Sequence, residues 1–296
     1  MTQDAKIRPR RSVLYMPGSN ARALEKARDL GADALILDLE DAVAPDAKEL
    51  ARKQVCEAAA SRGYGKREIT IRVNGLDTPW GEDDLKAAAQ ARPDAVLVPK
   101  INSAADIGRV EQILNASGAD ASIAIWAMLE TPIGILHAEE IAGASARLAV
   151  LVMGTNDIAK ELHAAHVLGR VPMLASLGLC LLAARAHGKI ILDGVYNDIA
   201  NTEGFETECL QGQQMGFDGK TLIHPSQLAP CNRVFSPSDK ELELAQRIIE
   251  AFEQARAEGK GVVTVDGRMI ENLHVDNARR AVAMAAAIAE LGTAAK

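Results

Sequence analysis

The stretch AIWAMLETPIG, residues 124–134, and its counterpart LAVLVMGTNDI, residues 148–158, indicate the fold of this chain. Each is a short apolar run followed closely by a carboxylate, Glu130 in the first and Asp157 in the second. Short apolar runs bounded by polar residues are typical of buried parallel strands, whose following loops lie at the carboxyl edge of the sheet. Both carboxylates are therefore predicted at one edge, where ligands bind and where together they can hold one cation.

The same pattern recurs at residues 34–43, ALILDLEDAV, where Asp38, Glu40 and Asp41 follow an apolar run. Acids also collect at helix starts, so a helix cap explains either Glu130 or Asp157 alone equally well. The recurrence favours a metal site. Oxygen ligands without a neighbouring set of Cys or His favour Mg²⁺, with Mn²⁺ as the second choice, over zinc.

Composition narrows the class of protein. The chain has 33 basic and 40 acidic residues, a net charge of −7 and only 3% aromatic residues, so no nucleic-acid partner is expected. The four cysteines are widely spaced without a CxxC pair, and no signal peptide precedes them, which predicts reduced thiols in a cytoplasmic protein. No run is expected to reach the ~20 apolar residues of a membrane span.

Strand-like and helix-like segments alternate from Ser12 onward with a period of roughly 30 residues, as in successive β/α units. Eight such units predict an α/β fold, a (β/α)₈ TIM barrel over residues 12–235, after an N-terminal arm at residues 1–11. Residues 236–296 depart from this alternation. They predict a helix–hairpin–helix extension with its turn at Asp266-Gly267, which serves as a lid or as an arm to a neighbouring subunit.

Two basic residues lie at predicted strand ends. Arg72, in TIRVN, needs an anionic partner if buried, either a substrate carboxylate or one of the acids after strand two. Lys100, after VLVP, is a similar candidate, although its ammonium group can equally end in water. The motifs GxSxG, GxxxxGK[ST] and a Rossmann GxGxxG after the first strand do not occur, which disfavours a Ser triad, ATP or NAD.

Seven separated motifs carry a resemblance to a known family. In order they are RSVLYMPGSN, LILDLEDAV, IRVNG, VLVPK, MLETPIG, MGTNDIAKEL and GFDGKTLIHPSQ. Over residues 8–290 the chain resembles the citrate lyase β-subunit family within the HpcH/HpaI aldolase superfamily. The resemblance implies a TIM barrel that cleaves or forms a carbon–carbon bond beside a thioester, with magnesium held by Glu130 and Asp157.

The resemblance also implies roles for other residues. In that family the metal contacts the small acid, so Glu130, as a metal ligand, is expected to take part in substrate binding. The arginine matching Arg72 faces the developing oxyanion. The strand-two acids Asp38, Glu40 and Asp41 would not bind the metal directly but would contact water molecules bound to it. Arg11 and Lys100 are expected to contact the substrate or its CoA part.

The C-terminal extension is expected to supply an acid. Stand-alone malyl-CoA and citramalyl-CoA lyases carry such an extension, which covers the active site of a neighbour in a homo-oligomer, a trimer or hexamer. The string DGRMIE places Glu271 where those lyases have the aspartate that exchanges a proton with the acetyl thioester. Asp266 is the alternative if the alignment is shifted.

Four functions remain open. The first is a lyase that cleaves malyl-CoA or citramalyl-CoA to acetyl-CoA and a 2-oxo acid, glyoxylate or pyruvate. The second is an (S)-malyl-CoA thioesterase that releases malate and CoA, since both reactions place the same ligand at the same metal. Less favoured are a citrate lyase β-subunit that acts on a citryl-carrier protein, and a non-catalytic barrel that binds CoA.

Overall fold

The computed structural model describes residues 7–259 and 262–292. Residues 1–6 of the predicted N-terminal arm lie outside this range. The chain divides into two compact units, one of which is Arg10–Phe235. The second contains residues 236–259 and 262–292 together with residues 7–9.

Eight parallel strands close into a barrel in the order β1 to β8, which confirms the predicted TIM-barrel fold. The strands are β1 Ser12–Pro17, β2 Ala34–Asp38, β3 Glu68–Arg72, β4 Ala95–Val98, β5 Ala124–Leu129, β6 Leu148–Met153, β7 Ile190–Asp193 and β8 Gly219–Leu222. β1 pairs with both β2 and β8, so the barrel has no free edge.

Helices follow the strands. They are α1 Ala21–Lys26, α2 Lys48–Ala60, α3 Gly81–Ala91, α4 Ala104–Ala116, α5 Pro132–Leu136, α6 Ala138–Gly143, α7 Thr155–Glu161, α8 Leu174–Ala186, α9 Thr202–Met215 and α10 Leu228–Val234. The region after β5 forms two short helices, because the backbone at His137 leaves the helical conformation. The first predicted helix also ends early, at Lys26, and continues as a 3₁₀ turn.

One stretch, Leu168–Ala186, is long and apolar enough by length and composition to cross a membrane, contrary to expectation. In the fold it is not one regular helix. A 3₁₀ segment with left-handed Gly169 and Arg170 precedes α8, and 39% of the apolar window is buried within the protein.

The alternation of side chains along each strand decides which of them face the inside of the barrel. An inner core contains Ala34 and Ile36 of β2 and Trp126 and Met128 of β5. Because the side-chain period of a strand is two, the next inward positions are Asp38 and Glu130. Asp38 is also the register partner of Arg72 on β3. The carboxyl end of the barrel therefore collects charged groups above an apolar floor.

The extension forms the predicted helix–hairpin–helix from α11 Asp239–Ala257, β9 Val263–Val265, β10 Arg268–Ile270 and α12 Asn272–Leu291. Ser238 caps α11 through a capping box with Glu241. β9 and β10 pair antiparallel across Asp266 and Gly267, both with positive φ, as a two-residue hairpin turn requires.

Candidate active site

A cavity of about 310 Å³ opens at the carboxyl end of the strands. Five of the predicted site residues line it: Asp38, Asp41, Arg72, Glu130 and Asp157. Side chains that the sequence reasoning did not select also line it: Tyr15, Met128, Met153, Thr155, Asn156 and Thr221. The barrel thus brings together acids and an arginine that are far apart in the sequence.

Arg72 is held in one orientation from two sides. Its Nε donates to Asp38 Oδ1 at 2.6 Å and its Nη2 to Asp38 Oδ2 at 2.7 Å. The guanidinium also lies over the ring of Tyr15, 4.7 Å from the centroid. Nη1 lies 2.9 Å from Glu40 Oε2. The pairing with a strand-two acid, one of the two alternatives from the sequence, is therefore present, and the same arginine lines the cavity.

Glu130 is only 2% exposed, and its carboxylate is fixed by a neighbouring backbone group. Oε1 accepts the N–H of Lys100 at 2.8 Å, and Lys100 has the left-handed φ of 53° that is uncommon for a residue with a side chain. Burial, with smaller contributions from the charges of Glu40 and Asp157, raises the pKa of Glu130 to about 8. Burial and the two neighbouring acids disfavour the ionised form of Glu130, and a bound cation would stabilise that form.

Asp157 lies in the first turn of α7 and shares the cavity with Glu130. Among the described residues no group of three or more His, Cys, Asp or Glu side chains could hold a metal ion. Zinc sites in proteins use three or four such ligands, whereas Mg²⁺ is bound by one or two carboxylates and completes its shell with water and substrate oxygens. The two carboxylates therefore fit Mg²⁺ and do not fit zinc.

Glu40 and Asp41 lie beside Arg72 in different environments. Burial raises the pKa of Glu40 to about 7, against the opposing charge of Arg72. Asp41 is largely exposed, and its Oδ2 is 3.5 Å from Arg72 Nη1. The loop that carries both acids is anchored by Lys48, whose Nζ donates to the carbonyls of Leu39 and Glu40, each at 2.8 Å.

The predicted role of Arg11 in substrate binding is wrong in this structure. Arg11 precedes β1 and therefore lies at the amino end of the barrel, the end opposite to the cavity. Its side chain is buried against Asp33, which precedes β2, with Nη2 2.8 Å from Oδ1. Arg11 is thus a structural residue that joins the starts of two strands. Lys100 lies beside the acids of the site, its Nζ 4.0 Å from Glu40 Oε1.

Glu271 and Asp266 both belong to the extension unit. Asp266 accepts hydrogen bonds from Arg247, at 2.8 Å on each carboxylate oxygen, so the turn of the hairpin is tied to α11. Glu271 is the N-cap residue of α12, and its backbone N–H donates to His274 Nδ1 at 3.0 Å. Both side chains are exposed within the chain, and their role as acids stays a prediction.

Tyr15 and Thr155 are the most informative residues that sequence reasoning missed. Tyr15 is two positions after Val13 on β1, so the same alternation that places Asp38 and Glu130 inward also identifies it. The Thr155 hydroxyl is buried and has no hydrogen-bond partner within the described residues, yet Thr155 lines the cavity. No sequence signal distinguishes that hydroxyl from an ordinary first residue of a helix.

Gly154 allows Glu130 to take its position. A Cβ at residue 154 would collide with both Cβ and Oε2 of Glu130. Gly154→Ala is therefore expected to displace the carboxylate and weaken Mg²⁺ binding at least about 10-fold, the usual effect of disturbing the support of a metal ligand. Calorimetric titration with Mg²⁺ measures this effect. Gly108→Ala on α4, where a new Cβ meets nothing within 4 Å, is the matched control and should bind Mg²⁺ normally.

Comparison with known proteins identifies the family. The family model described as HpcH/HpaI aldolase/citrate lyase matches residues 11–225, and one described as C–C bond lyase of the TIM-barrel fold matches residues 172–288. The chain is 55% identical over 281 residues to a (3S)-malyl-CoA thioesterase of Cereibacter sphaeroides strain KD131, covering 95% of this chain and 96% of that one. It is 38% identical to the citrate lyase β-subunit of Escherichia coli K12, covering 94% and 93% of the two chains.

A solved structure agrees with these relatives. CitE from Mycobacterium tuberculosis, in complex with magnesium, acetoacetate and coenzyme A, superimposes with a TM-score of 0.75 at 28% identity. The match covers 94% of this chain and 97% of that one. The chain is therefore an enzyme of the HpcH/HpaI aldolase/citrate lyase family.

Proposed function

We propose that this protein is a magnesium-dependent enzyme that hydrolyses (3S)-malyl-CoA to malate and CoA. The observation that carries the proposal is the 55% identity to a (3S)-malyl-CoA thioesterase over 95% of the chain, with both carboxylates and the arginine of the cavity in place. The sequence alone favoured carbon–carbon cleavage first and thioester hydrolysis second, and the proposal reverses that order.

The cavity fits the small-acid part of the substrate. Its volume of about 310 Å³ lies at the low end of ordinary ligand sites, so a four-carbon acid fits while most of CoA must extend beyond it. Arg72 presents a fixed positive charge to a carboxylate or an oxyanion at the cavity wall. Apolar Met128 and Met153 form other parts of the wall.

Glu130 and Asp157 would hold Mg²⁺, or Mn²⁺ as the second choice. When bound, the ion supplies a Lewis acid that orients the small acid and stabilises negative charge on its oxygens. Glu40, with its pKa raised to about 7, is suited to hold and release a proton at its carboxylate near neutral pH. Asp38 keeps the guanidinium plane of Arg72 fixed during the reaction.

Carbon–carbon cleavage of malyl-CoA or citramalyl-CoA to acetyl-CoA and glyoxylate or pyruvate is the second candidate. It is favoured by the match of residues 172–288 to a C–C bond lyase model, a region that includes the C-terminal acids Asp266 and Glu271. That reaction needs an acid or base at the acetyl carbon, for which Glu271 is the proposed group. Hydrolysis instead needs a water molecule that attacks the thioester carbonyl carbon.

One experiment separates the two reactions. The protein is incubated with (S)-malyl-CoA and Mg²⁺ while glyoxylate is trapped as a hydrazone and free CoA thiol is measured with a disulfide reagent. Free thiol without hydrazone is the expected result. Hydrazone without free thiol would replace the proposal by the lyase, and citramalyl-CoA would then be tested. The absence of both signals would reject both candidates. That result would favour an acyl-carrier substrate or a non-catalytic barrel.

We also propose that the protein is cytoplasmic and forms a homo-oligomer, a trimer or hexamer, in which the extension of one subunit covers the site of another. The free state of all four cysteines supports a reducing compartment. A catalytic acid in the extension would then act in a neighbour. Mixing a Glu130→Gln variant with a Glu271→Gln variant tests this, since shared sites would restore activity if Glu271 acts across subunits.

The affinity for Mg²⁺ is expected to depend on pH. Because the pKa of Glu130 is raised to about 8 in the absence of metal, the ion must displace a proton at lower pH. The association constant should rise about tenfold per pH unit below pH 8 and level off above it. Titration calorimetry in buffers of different ionisation enthalpy measures both the affinity and the released proton, and a pH-independent affinity would contradict the prediction.

The free energy of unfolding of the metal-free protein should fall as pH rises, whereas the affinity for Mg²⁺ should increase. The pKa of Glu130 in the folded state lies above its ordinary value of 4.5, so the folded state holds a proton that the unfolded state releases. The stability from this group is fully present below pH 4.5 and is lost as pH rises through 8. Denaturant unfolding in EDTA should show the decline, and Glu130→Gln should reduce it.

A further inference from the structure

One part of the cavity wall carries no charge. It consists of Val195, Thr221 and Ile223, which lie on β7 and β8 or just after them, and we call it the uncharged wall. The charged lining residues all belong to or follow β2, β3, β5 and β6. The oxygen atoms of a small acid are attracted to the arginine and to a cation on the carboxylates. The hydrogen atoms or methyl groups on its carbon atoms therefore fit best against the uncharged wall.

The loop after β7 depends on side-chain contacts for its position. Residues 194–201, which include Val195, form neither helix nor strand. Asn197 in this loop exchanges two hydrogen bonds with Asn156 of α7. Its Nδ2 donates to Oδ1 of Asn156 at 2.7 Å, and its Oδ1 accepts from Nδ2 of Asn156 at 3.2 Å. The loop is therefore tied on one side to a residue that itself lines the cavity.

The same loop is held from the other side by Gln227, a residue of the motif GFDGKTLIHPSQ that no step of the proposed reaction uses. Gln227 lies in a 3₁₀ turn after β8 and is only 3% exposed. Its Nε2 donates to the carbonyl of Tyr196 at 3.0 Å, and its Oε1 accepts the N–H groups of Ile223 and His224 at 3.0 and 3.2 Å. One buried amide thus joins the backbones of the loops after β7 and β8.

These hydrogen bonds favour one spacing of the two loops. A buried backbone group that loses its partner costs roughly 1–3 kcal/mol, so a shift of either loop away from Gln227 is unfavourable. The two contacts of Oε1 also stabilise the turn that contains Gln227 itself. The contact of Nε2 does not serve that turn, because Tyr196 lies 31 residues away in the sequence. Its effect is on the distance between Val195 and Ile223.

We propose that Gln227 is a positioning residue, which fixes the uncharged wall and thereby makes the enzyme favour malyl-CoA over citramalyl-CoA. This inference rests on the proposed function, in which the cavity holds the malyl group. Citramalyl-CoA has one more methyl group, on the carbon that carries the hydroxyl. The cavity of about 310 Å³ is small. A fixed wall discriminates by about 10–200-fold between ligands that differ by one methylene group.

Gln227→Glu tests the proposal because it releases one loop and keeps the other. The new carboxylate can still accept the N–H groups of Ile223 and His224, but it has no donor for the carbonyl of Tyr196 and repels it. The ratio of kcat/KM for malyl-CoA to kcat/KM for citramalyl-CoA should fall at least about 10-fold. KM for malyl-CoA should rise, and the affinity for Mg²⁺, measured by calorimetry, should stay that of the wild type.

Asn232→Asp is the matched control. Asn232 is 4% exposed, and its Nδ2 donates to the carbonyl of Gly31 at 2.8 Å, at the amino end of the barrel. This variant also loses a buried amide donor to a carbonyl, so it should lose stability and keep the substrate ratio. An unchanged ratio in Gln227→Glu, or an equal fall in Asn232→Asp, would overturn the proposal. So would a loss of Mg²⁺ affinity in Gln227→Glu, which would assign the residue to the metal site.

A second variant covers the case in which Gln227→Glu fails to fold. Asn197→Asp lies at an exposed position and loses only the donor to Asn156, so it should fold and lower the ratio by about threefold, the effect of one modest hydrogen bond. Asn115→Asp, at an exposed position near the end of α4, should keep the ratio. A normal ratio in Asn197→Asp would contradict the proposal.

The wild type separates a failure of this inference from a failure of the proposed function. Turnover is followed through both free thiol and trapped 2-oxo acid, so the ratio is measured whether the thioester is hydrolysed or the carbon skeleton is cleaved. A wild type that uses both thioesters equally well would overturn the role of Gln227 alone. A wild type that turns over neither thioester would reject the proposed function and this role together.

Discussion

Glu130→Gln is expected to lower kcat/KM by roughly 1000-fold, because a bound cation supplies several kcal/mol of transition-state stabilisation and this variant loses a charged ligand for it. The carboxamide keeps the shape of the side chain and can still accept the N–H of Lys100. The fold should therefore survive. Steady-state kinetics at saturating Mg²⁺ measures the loss.

A second readout of the same variant is independent of substrate. The wild type should be stabilised by Mg²⁺ by about 2.7 kcal/mol at 100 times the dissociation constant, whereas Glu130→Gln should show almost no stabilisation at that concentration. Glu68→Gln is the matched control, since Glu68 is equally buried but pairs with Arg10 at the amino end of the barrel. If Glu130→Gln kept the wild-type response to Mg²⁺, the metal site would have to be sought elsewhere.

Arg72→Lys is expected to lower kcat/KM at least about 100-fold, in the range seen when one donor to a developing oxyanion is removed. Lysine keeps the charge but cannot reproduce the two parallel hydrogen bonds to Asp38 or the planar contact with the Tyr15 ring. The remaining charge would therefore be less well oriented toward the cavity. Kinetics with malyl-CoA, together with thermal unfolding, separates this effect from a loss of stability.

Arg11→Lys is the matched control for Arg72→Lys. Arg11 is as deeply buried and also pairs with an aspartate, Asp33, but at the opposite end of the barrel. Both variants should unfold at lower temperature than the wild type, because each weakens a buried ion pair. Only Arg72→Lys should lose activity. A comparable kinetic loss in Arg11→Lys would restore the sequence-based role of Arg11 and would contradict the structural assignment.

Asp38 illustrates what the structure adds to an acidic motif. The sequence groups Asp38 with Glu40 and Asp41 as acids that support a metal through water. In the structure, Asp38 accepts two hydrogen bonds from Arg72 and the backbone N–H groups of Glu40 and Ala42. Its carboxylate is thus used entirely within the protein. The three acids have three different environments because only Asp38 lies on the inward side of β2.

The barrel, and the position of Glu130 and Asp157 at one end of it, were predictable from local patterns. Apolar runs of strand length at regular intervals specify buried parallel strands, and the acids after them must lie at the carboxyl edge, whatever the detailed packing. Glu130 and Asp157 followed directly from this rule. The helix–hairpin–helix followed from equally local signals, the capping residue Ser238 and the Asp266-Gly267 turn.

The placement of the other side chains required the closed barrel. The partner of Arg72 depends on the register between β2 and β3, and the orientation of Glu130 depends on the backbone of Lys100 on a neighbouring loop. Arg11 shows the same limit, since its pairing with Asp33 arises only when the starts of β1 and β2 meet. Periodicity along one strand thus determined which elements form and where acids collect, because it is a property of the local chain. Only the tertiary structure decided which charges pair, which pKa values rise and which loops the amide of Gln227 joins, because these depend on distances between segments remote in sequence.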